Sequence, residues 1–245
     1  MDDERESDLF QFDASSTPIL RYDARGHGRS PAAGEVAQLT WDSLAADMGR
    51  VALEAQFRNY VAAGASMGAA TALLHARDYP NRVRGLVLAI PPTAWGHRAP
   101  MVDKYLANAE FAEENGMDAL KEVARDWPLP RIWADEFPDI FEIGWRHKLE
   151  LGADRYSALM KGAAVCDLPS LDELAAEVTQ PTLILAWEGD PQHPVVVADM
   201  LADALPGCRE EEDFHIAASL EEIRQWPALV EEFLSKLNAE DGGDR

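Results

Sequence analysis

The chain has 245 residues, 47% of them apolar, with 44 acidic against 22 basic side chains and a formal charge of −22 at pH 7. That length and apolar content let a single domain, residues 1–245, bury a full core. The negative balance argues against nucleic acid or an anionic membrane surface as a partner, since both attract cations.

No apolar run approaches the roughly 18 residues of a membrane span. The opening Met1-Asp2-Asp3-Glu4-Arg5-Glu6 is acidic where a signal peptide is basic and then apolar, so a cytoplasmic location is expected. The two cysteines, Cys166 and Cys208, have neither metal-ligand spacing nor the even framework of a small secreted fold; no metal site and no disulfide is expected. The acidic run Glu210-Glu211-Glu212-Asp213 reads as a solvated face.

In chain order, Thr17 to Asp23 reads as the first strand, and Thr40-Trp41-Asp42 offers a cap and first turn for a helix through about Ala55. Tyr60 to Ala65 is the second strand. A small-residue helix from Met67 to Asp78 follows it and ends before Tyr79-Pro80, because proline disfavours helical geometry in the residue before it. Val83 to Ile90 is the third strand. Strands separated by helices of this length need crossover connections, so they pair in parallel and the sheet is covered on both faces. From Pro91 to Gln180 the strand signals stop, and helical pieces rich in Trp, Ala and Glu take over, broken by Pro128, Pro130 and Pro138. The sheet resumes with Thr182 to Glu188, a helix from about Val195 to Leu205, a strand near Phe214 to Ala217 and a closing helix from Leu220 to Leu237.

The chemistry centres on Gly64-Ala65-Ser66-Met67-Gly68, which joins a predicted strand to a predicted helix. A strand that turns sharply into a helix holds its turn residue in strained geometry, and glycines let the neighbouring backbone pass close by. This elbow lifts the Ser66 hydroxyl to the carboxyl edge of the sheet. Together with the upstream run Tyr22-Asp23-Ala24-Arg25-Gly26-His27-Gly28-Arg29-Ser30, it resembles the α/β-hydrolase family. The resemblance extends to Pro181 through Pro191, a β-branched strand whose end delivers Asp190. It implies a mostly parallel α/β sheet with a helical cap at about 91–180 that roofs the active site. The cap aromatics Trp95, Trp127, Trp133, Phe137, Phe141 and Trp145 are candidates for pocket lining, although aromatics at helical spacing are more often core.

A serine is a weak nucleophile until a base takes its proton and a carboxylate orients that base. The family order of nucleophile, acid and histidine implies Ser66 and Asp190 for the first two roles. The third is open. The family's Gly-x-Gly-His run after the last strand is absent, which leaves His215, on the strand at Phe214 to Ala217, ranked first and His193, three residues past Asp190, ranked second. His193 would then sit at the pocket mouth. His97 and Trp95 are candidate substrate contacts, His27 belongs to the bracing turn, and His75 and His147 read as structural helix residues.

The Met67 N–H would supply one oxyanion donor. The family's second donor comes from a His-Gly loop after an earlier strand, and residues 1–16 contain no such loop. The natural product is therefore expected to begin upstream of Met1, and a sheet starting at Thr17 is expected to expose an unpaired edge. The resemblance implies hydrolysis of an ester, lactone or related acyl bond of a small, fairly apolar molecule, without a cofactor. The alternative is a non-catalytic relative that binds a ligand or partner. Oligomeric state is not encoded in any motif.

Overall fold

The computed structural model describes residues 17–31, 35–127, 140–208 and 210–243. Among these, four strands form one sheet in the order β1 (Tyr60–Ala65), β2 (Val83–Ala89), β3 (Thr182–Trp187) and β4 (Phe214–Ala217). Every pair is parallel, with Ala62 opposite Leu86, Leu88 opposite Ile184 and Trp187 opposite Ala217. Parallel neighbours need crossovers, and helices supply them.

Helices α1 (Trp41–Glu54) and α2 (Met67–Asp78) precede β2, and α6 (Val195–Ala204) links β3 to β4. Between β2 and β3 lie α3 (Ala99–Ala124), α4 (Ile140–Ala164) and α5 (Leu171–Glu177); α7 (Leu220–Ile223) and α8 (Trp226–Gly243) end the fold. The expected closing helix divides at Gln225, because Pro227 can open a helix but cannot donate a bond inside one. Helix α1 starts where its sequence says, with the Thr40 hydroxyl accepting from Ser43 N at 3.3 Å.

Side chains of β2 and β3 alternate between two cores, as period-two geometry requires. Leu86, Leu88, Ile184 and Ala186 pack under α1, α2 and α6 with Leu73, Leu74, Val197 and Leu201. Val87, Ala89, Leu183, Leu185 and Trp187 face the other way, onto Trp226, Val230, Phe233 and Leu237 of α8. A third cluster lies in the helical insertion, where Met117, Leu120 and Ala124 of α3 meet Trp145 and Tyr156 of α4, with Trp127 and Phe141 against them. Both long helices kink at a glycine in left-handed geometry, Gly116 (φ 83°) and Gly152 (φ 73°).

One expectation fails. The stretch from Thr17 to Asp23 is not a strand of the sheet. A strand exists only through a paired neighbour, and β1 is the edge of the ladder. Between them lies a cavity of about 350 Å³, lined by Pro18, Leu20 and Tyr22 on one side and Tyr60, Ala62 and Ala63 on the other. No helix among the described residues is long and apolar enough to cross a membrane.

Candidate active site

Ser66 sits where β1 hands over to α2, at φ 52° and ψ −117°. This backbone region is rarely open to a residue with a Cβ and costs about 1–3 kcal/mol. The surroundings hold it there: Ser66 N donates to Ala89 O at 3.0 Å, extending the ladder by one bond, while Ser66 O accepts from Ala69 N at 2.9 Å as α2 begins. The two motif glycines are not equivalent. A Cβ on Gly64 would lie 2.2 Å from the Gly68 carbonyl carbon, whereas a Cβ on Gly68 would meet nothing within 4 Å. Gly64 is therefore the residue that permits the close pass of helix over strand.

The loop after β3 brings the acid and a base together. His193 N donates to Asp190 O at 3.2 Å, closing a four-residue turn with Pro191 at its second position. That turn puts both side chains on one side, and His193 Nδ1 donates to Asp190 Oδ2 at 2.7 Å. The carboxylate fixes the tautomer, which leaves Nε2 with its lone pair to accept from Ser66 Oγ, also at 2.7 Å. Asp190 is held further by Trp187 Nε1 at 3.0 Å on Oδ2 and by Gln192 N at 2.8 Å on Oδ1. Burial alone would push its carboxyl up. The hydrogen bond and charge of His193, with the Gln192 and Trp187 donors, outweigh burial and hold it below the usual carboxylate range. The Trp187 indole also stands edge-on to the His193 ring at 6.3 Å and stacks on Trp226 at 5.9 Å, which fixes its orientation.

Ser66, His193 and Asp190 thus form one chain of hydrogen bonds, and His215 is not part of it. His215 lies on β4 opposite Leu185, two residues short of the strand end at Ala217, and its Nε2 donates to Glu212 O at 2.8 Å. A residue inside a strand points off a sheet face, while the site lies beyond the carboxyl ends of the strands.

A cavity of about 210 Å³ opens on Ser66 and is lined by Arg25, His27, Met67, Arg98 and Tyr105, with apolar side chains between. Met67 lines the cavity, and its N–H lies in the first turn of α2, where a helix offers no acceptor. Trp95 and His97 do not line it. The Trp95 indole donates to Pro169 O at 2.7 Å and its N–H to Asp167 Oδ1 at 2.9 Å, and His97 is exposed in a 3-10 turn, Trp95–His97. Of the other aromatics proposed for the pocket, Trp127, Phe141 and Trp145 pack together in the insertion core; Trp133 and Phe137 lie outside the described residues. Tyr105 of α3 lines the cavity instead.

The upstream turn braces this site. Asp23 Oδ2 accepts from Arg29 N at 2.9 Å, and its carboxyl lies 2.5 Å from where a Gly28 Cβ would stand. Arg25 reaches Asp47 of α1 with two bonds, at 2.8 and 2.6 Å. Arg155 of α4 donates to Gly26 O, Gly28 O and Ser30 O at 2.6, 3.1 and 2.6 Å, tying the insertion to the turn. Arg155, Trp187, Gln192 and Arg98 carry no motif that marks them. His75 is structural: fully buried, it donates from Nδ1 to Ala45 O at 3.0 Å and its Nε2 lies 2.7 Å from the Tyr60 hydroxyl. Both cysteines are free thiols, and no cluster of three metal-ligating side chains occurs among the described residues.

A parallel sheet wrapped by helices, with a strained serine at a strand-to-helix turn and a histidine–carboxylate pair beyond a later strand, defines a layered α/β protein of hydrolase type. The chain belongs to the Alpha/beta hydrolase family, whose sequence model matches residues 5–233. Among solved structures it is similar to a thermophilic esterase from Thermogutta terrifontis, at 22% identity and TM-score 0.72, covering 88% of this chain and 78% of that one. It is similar also to the enol-lactonase from Burkholderia xenovorans, at 20% identity and TM-score 0.72, covering 88% and 80%. A third is MenH from S. aureus, at 18% identity and TM-score 0.69, covering 88% and 82%. No curated protein matches the chain.

Proposed function

We propose that the protein hydrolyses an ester or lactone of a small molecule in the cytoplasm through an acyl-enzyme on Ser66, with His193 as base and Asp190 as its orienting acid. The observation that carries this reading is the unbroken relay at 2.7 Å from Ser66 Oγ to His193 Nε2 and again from His193 Nδ1 to Asp190 Oδ2. As Oγ attacks the carbonyl carbon, Nε2 takes the hydroxyl proton and the ring becomes cationic. The Asp190 carboxylate, its side chain 1% exposed, stabilises that cation at low dielectric. The Met67 N–H meets the developing oxyanion. The ring then gives its proton to the leaving alkoxide, and a water deprotonated by the same Nε2 releases the acid and restores Ser66.

No step calls for a cofactor. The helical insertion α3–α4 acts as a cap over the site, contributing Tyr105, Leu159, Met160 and Ala163 to the cavity. The esterase and lactonase among the similar structures support acyl-bond hydrolysis. The test is stoichiometric labelling by a fluorophosphonate, followed by hydrolysis of p-nitrophenyl esters. One label per chain on Ser66, with label and turnover both lost in Ser66→Ala, is the expected result. An inert Ser66 in folded protein refutes the reading and favours a ligand-binding role.

A further inference from the structure

Arg98 ends the 3-10 turn after β2 and precedes α3, and it is only 4% exposed. Its guanidinium is spent almost wholly on neutral acceptors. Nε donates to Cys166 O at 2.9 Å, Nη2 to Ala163 O at 2.5 Å, and Nη1 to both Thr93 O and Thr93 Oγ1 at 3.2 Å. The plane lies over Trp41 at 4.7 Å and Tyr105 at 5.4 Å. Among the described residues it makes no ion pair. Arg25, in the same cavity, differs in having a carboxylate partner: it makes two bonds to Asp47, which also pairs with Arg50.

A buried cation facing only carbonyls, one hydroxyl and ring faces is an unbalanced charge, and taking it out of water is costly. Cross-linking the loop, the insertion and the core does not by itself require a full positive charge. A guanidinium has five N–H donors, and at least one on Nη2 is left over by these bonds. Arg98 and Ser66 line the same cavity, with Leu39, Leu44 and Met160 also on its wall. Helix α3 begins one residue later, so the positive end of its dipole adds to the local potential. The cavity thus joins a nucleophile and a cation without a carboxylate partner through apolar walls, inside a chain whose net charge is −22.

We propose that the substrate is an ester or lactone carrying a carboxylate on an aliphatic arm, with that carboxylate held by Arg98 while the scissile carbonyl sits at Ser66. This inference rests on the hydrolase reading for its substrate, not for its binding step. Arg98 also positions the base: Thr93, which it holds, donates its N–H to Gln192 O at 3.2 Å within the Asp190–His193 turn. Charge selection and positioning therefore need separate readouts.

The experiment compares mono-p-nitrophenyl adipate with p-nitrophenyl hexanoate, which differ by a terminal carboxylate in place of a methyl. The intact protein should favour the adipate about 30-fold in kcat/KM, the scale of a hydrogen bond to a charged group. Arg98→Gln should bring the ratio to about 1, mostly through KM for the adipate; Arg98→Lys should keep part of the preference. Equal kcat/KM in the intact protein, or a preference that survives Arg98→Gln, overturns the proposal. A positioning role alone would lower kcat for both esters and leave the ratio intact. In case Arg98 variants fold poorly, calorimetry on Ser66→Ala compares monoethyl adipate with its neutral amide. Binding of the acid at least tenfold tighter supports the proposal, and equal binding refutes it. Calorimetry reads this preference even if no ester is turned over, so loss of the hydrolase reading and loss of this one are told apart.

Discussion

Replacing His193 by Gln tests the site at its most discriminating point. The ring accepts from Ser66 Oγ and donates to Asp190 Oδ2, both at 2.7 Å, and a glutamine amide can hydrogen-bond but cannot take a proton. Without a base, turnover should fall at least about 10³-fold, or about 4 kcal/mol of barrier. Folding should suffer less. Asp190 loses one of three donors and keeps Trp187 Nε1 and Gln192 N, so a loss of about 1–3 kcal/mol is expected. For a chain of this size that lowers Tm by roughly 2–4 °C per kcal/mol. His215→Gln removes a single surface bond to Glu212 O and should leave turnover within about twofold. The assay is p-nitrophenyl ester hydrolysis corrected for folded protein by thermal unfolding. If His215→Gln abolishes turnover and His193→Gln spares it, the relay described above is not the one that works.

The two elbow glycines should respond with opposite signs. Gly64→Ala drives a Cβ to 2.2 Å from the Gly68 backbone and should destabilise by about 1–3 kcal/mol or more, while Gly68→Ala, in open space on a helix, should be neutral or stabilising by up to about 1 kcal/mol; urea unfolding measures both, and equal losses would refute the argument. Burial pushes His27 and His75 below the ordinary histidine range. The unfolded chain therefore takes up protons first, and stability is lost as pH falls from about 6.5 through the lowered folded values, by at most about 1.4 kcal/mol per pH unit for each ring. His75→Asn should flatten that slope relative to the parent in urea titrations at pH 7.5, 6.0 and 5.0, and an unchanged slope would count against it. The open edge of β1 should bind a hydrophobic dye and self-associate, and Ala63→Lys, at an exposed position on that edge, should reduce self-association in sedimentation; no change would show that the edge is not the contact.

Local pattern determined most of the elements. Tyr60–Ala65, Met67–Asp78 and Phe214–Ala217 fall where periodicity, proline and small-residue signals put them, because strand and helix periods are written residue by residue. The elbow was legible for the same reason: its strain, its close pass and its place between strand and helix all lie within five consecutive residues. Thr17 to Asp23 read equally well as a strand, yet strand character depends on a neighbour that no local pattern reports. The bonding partner of Ser66 depended on direction rather than spacing. His215 lies within the last strand, inside its pairing, whereas the turn at Pro191 swings His193 back onto Asp190 and across to a serine far away in the chain. Arg98 and Tyr105 lie in no motif, and they line one cavity with Ser66 only because segments far apart in the chain fold together there. The sequence by itself determined most of the elements and the elbow, since each is set by neighbouring residues; which histidine reaches the serine and which charge faces the cavity are tertiary decisions, made by contacts between segments that are neighbours only after folding.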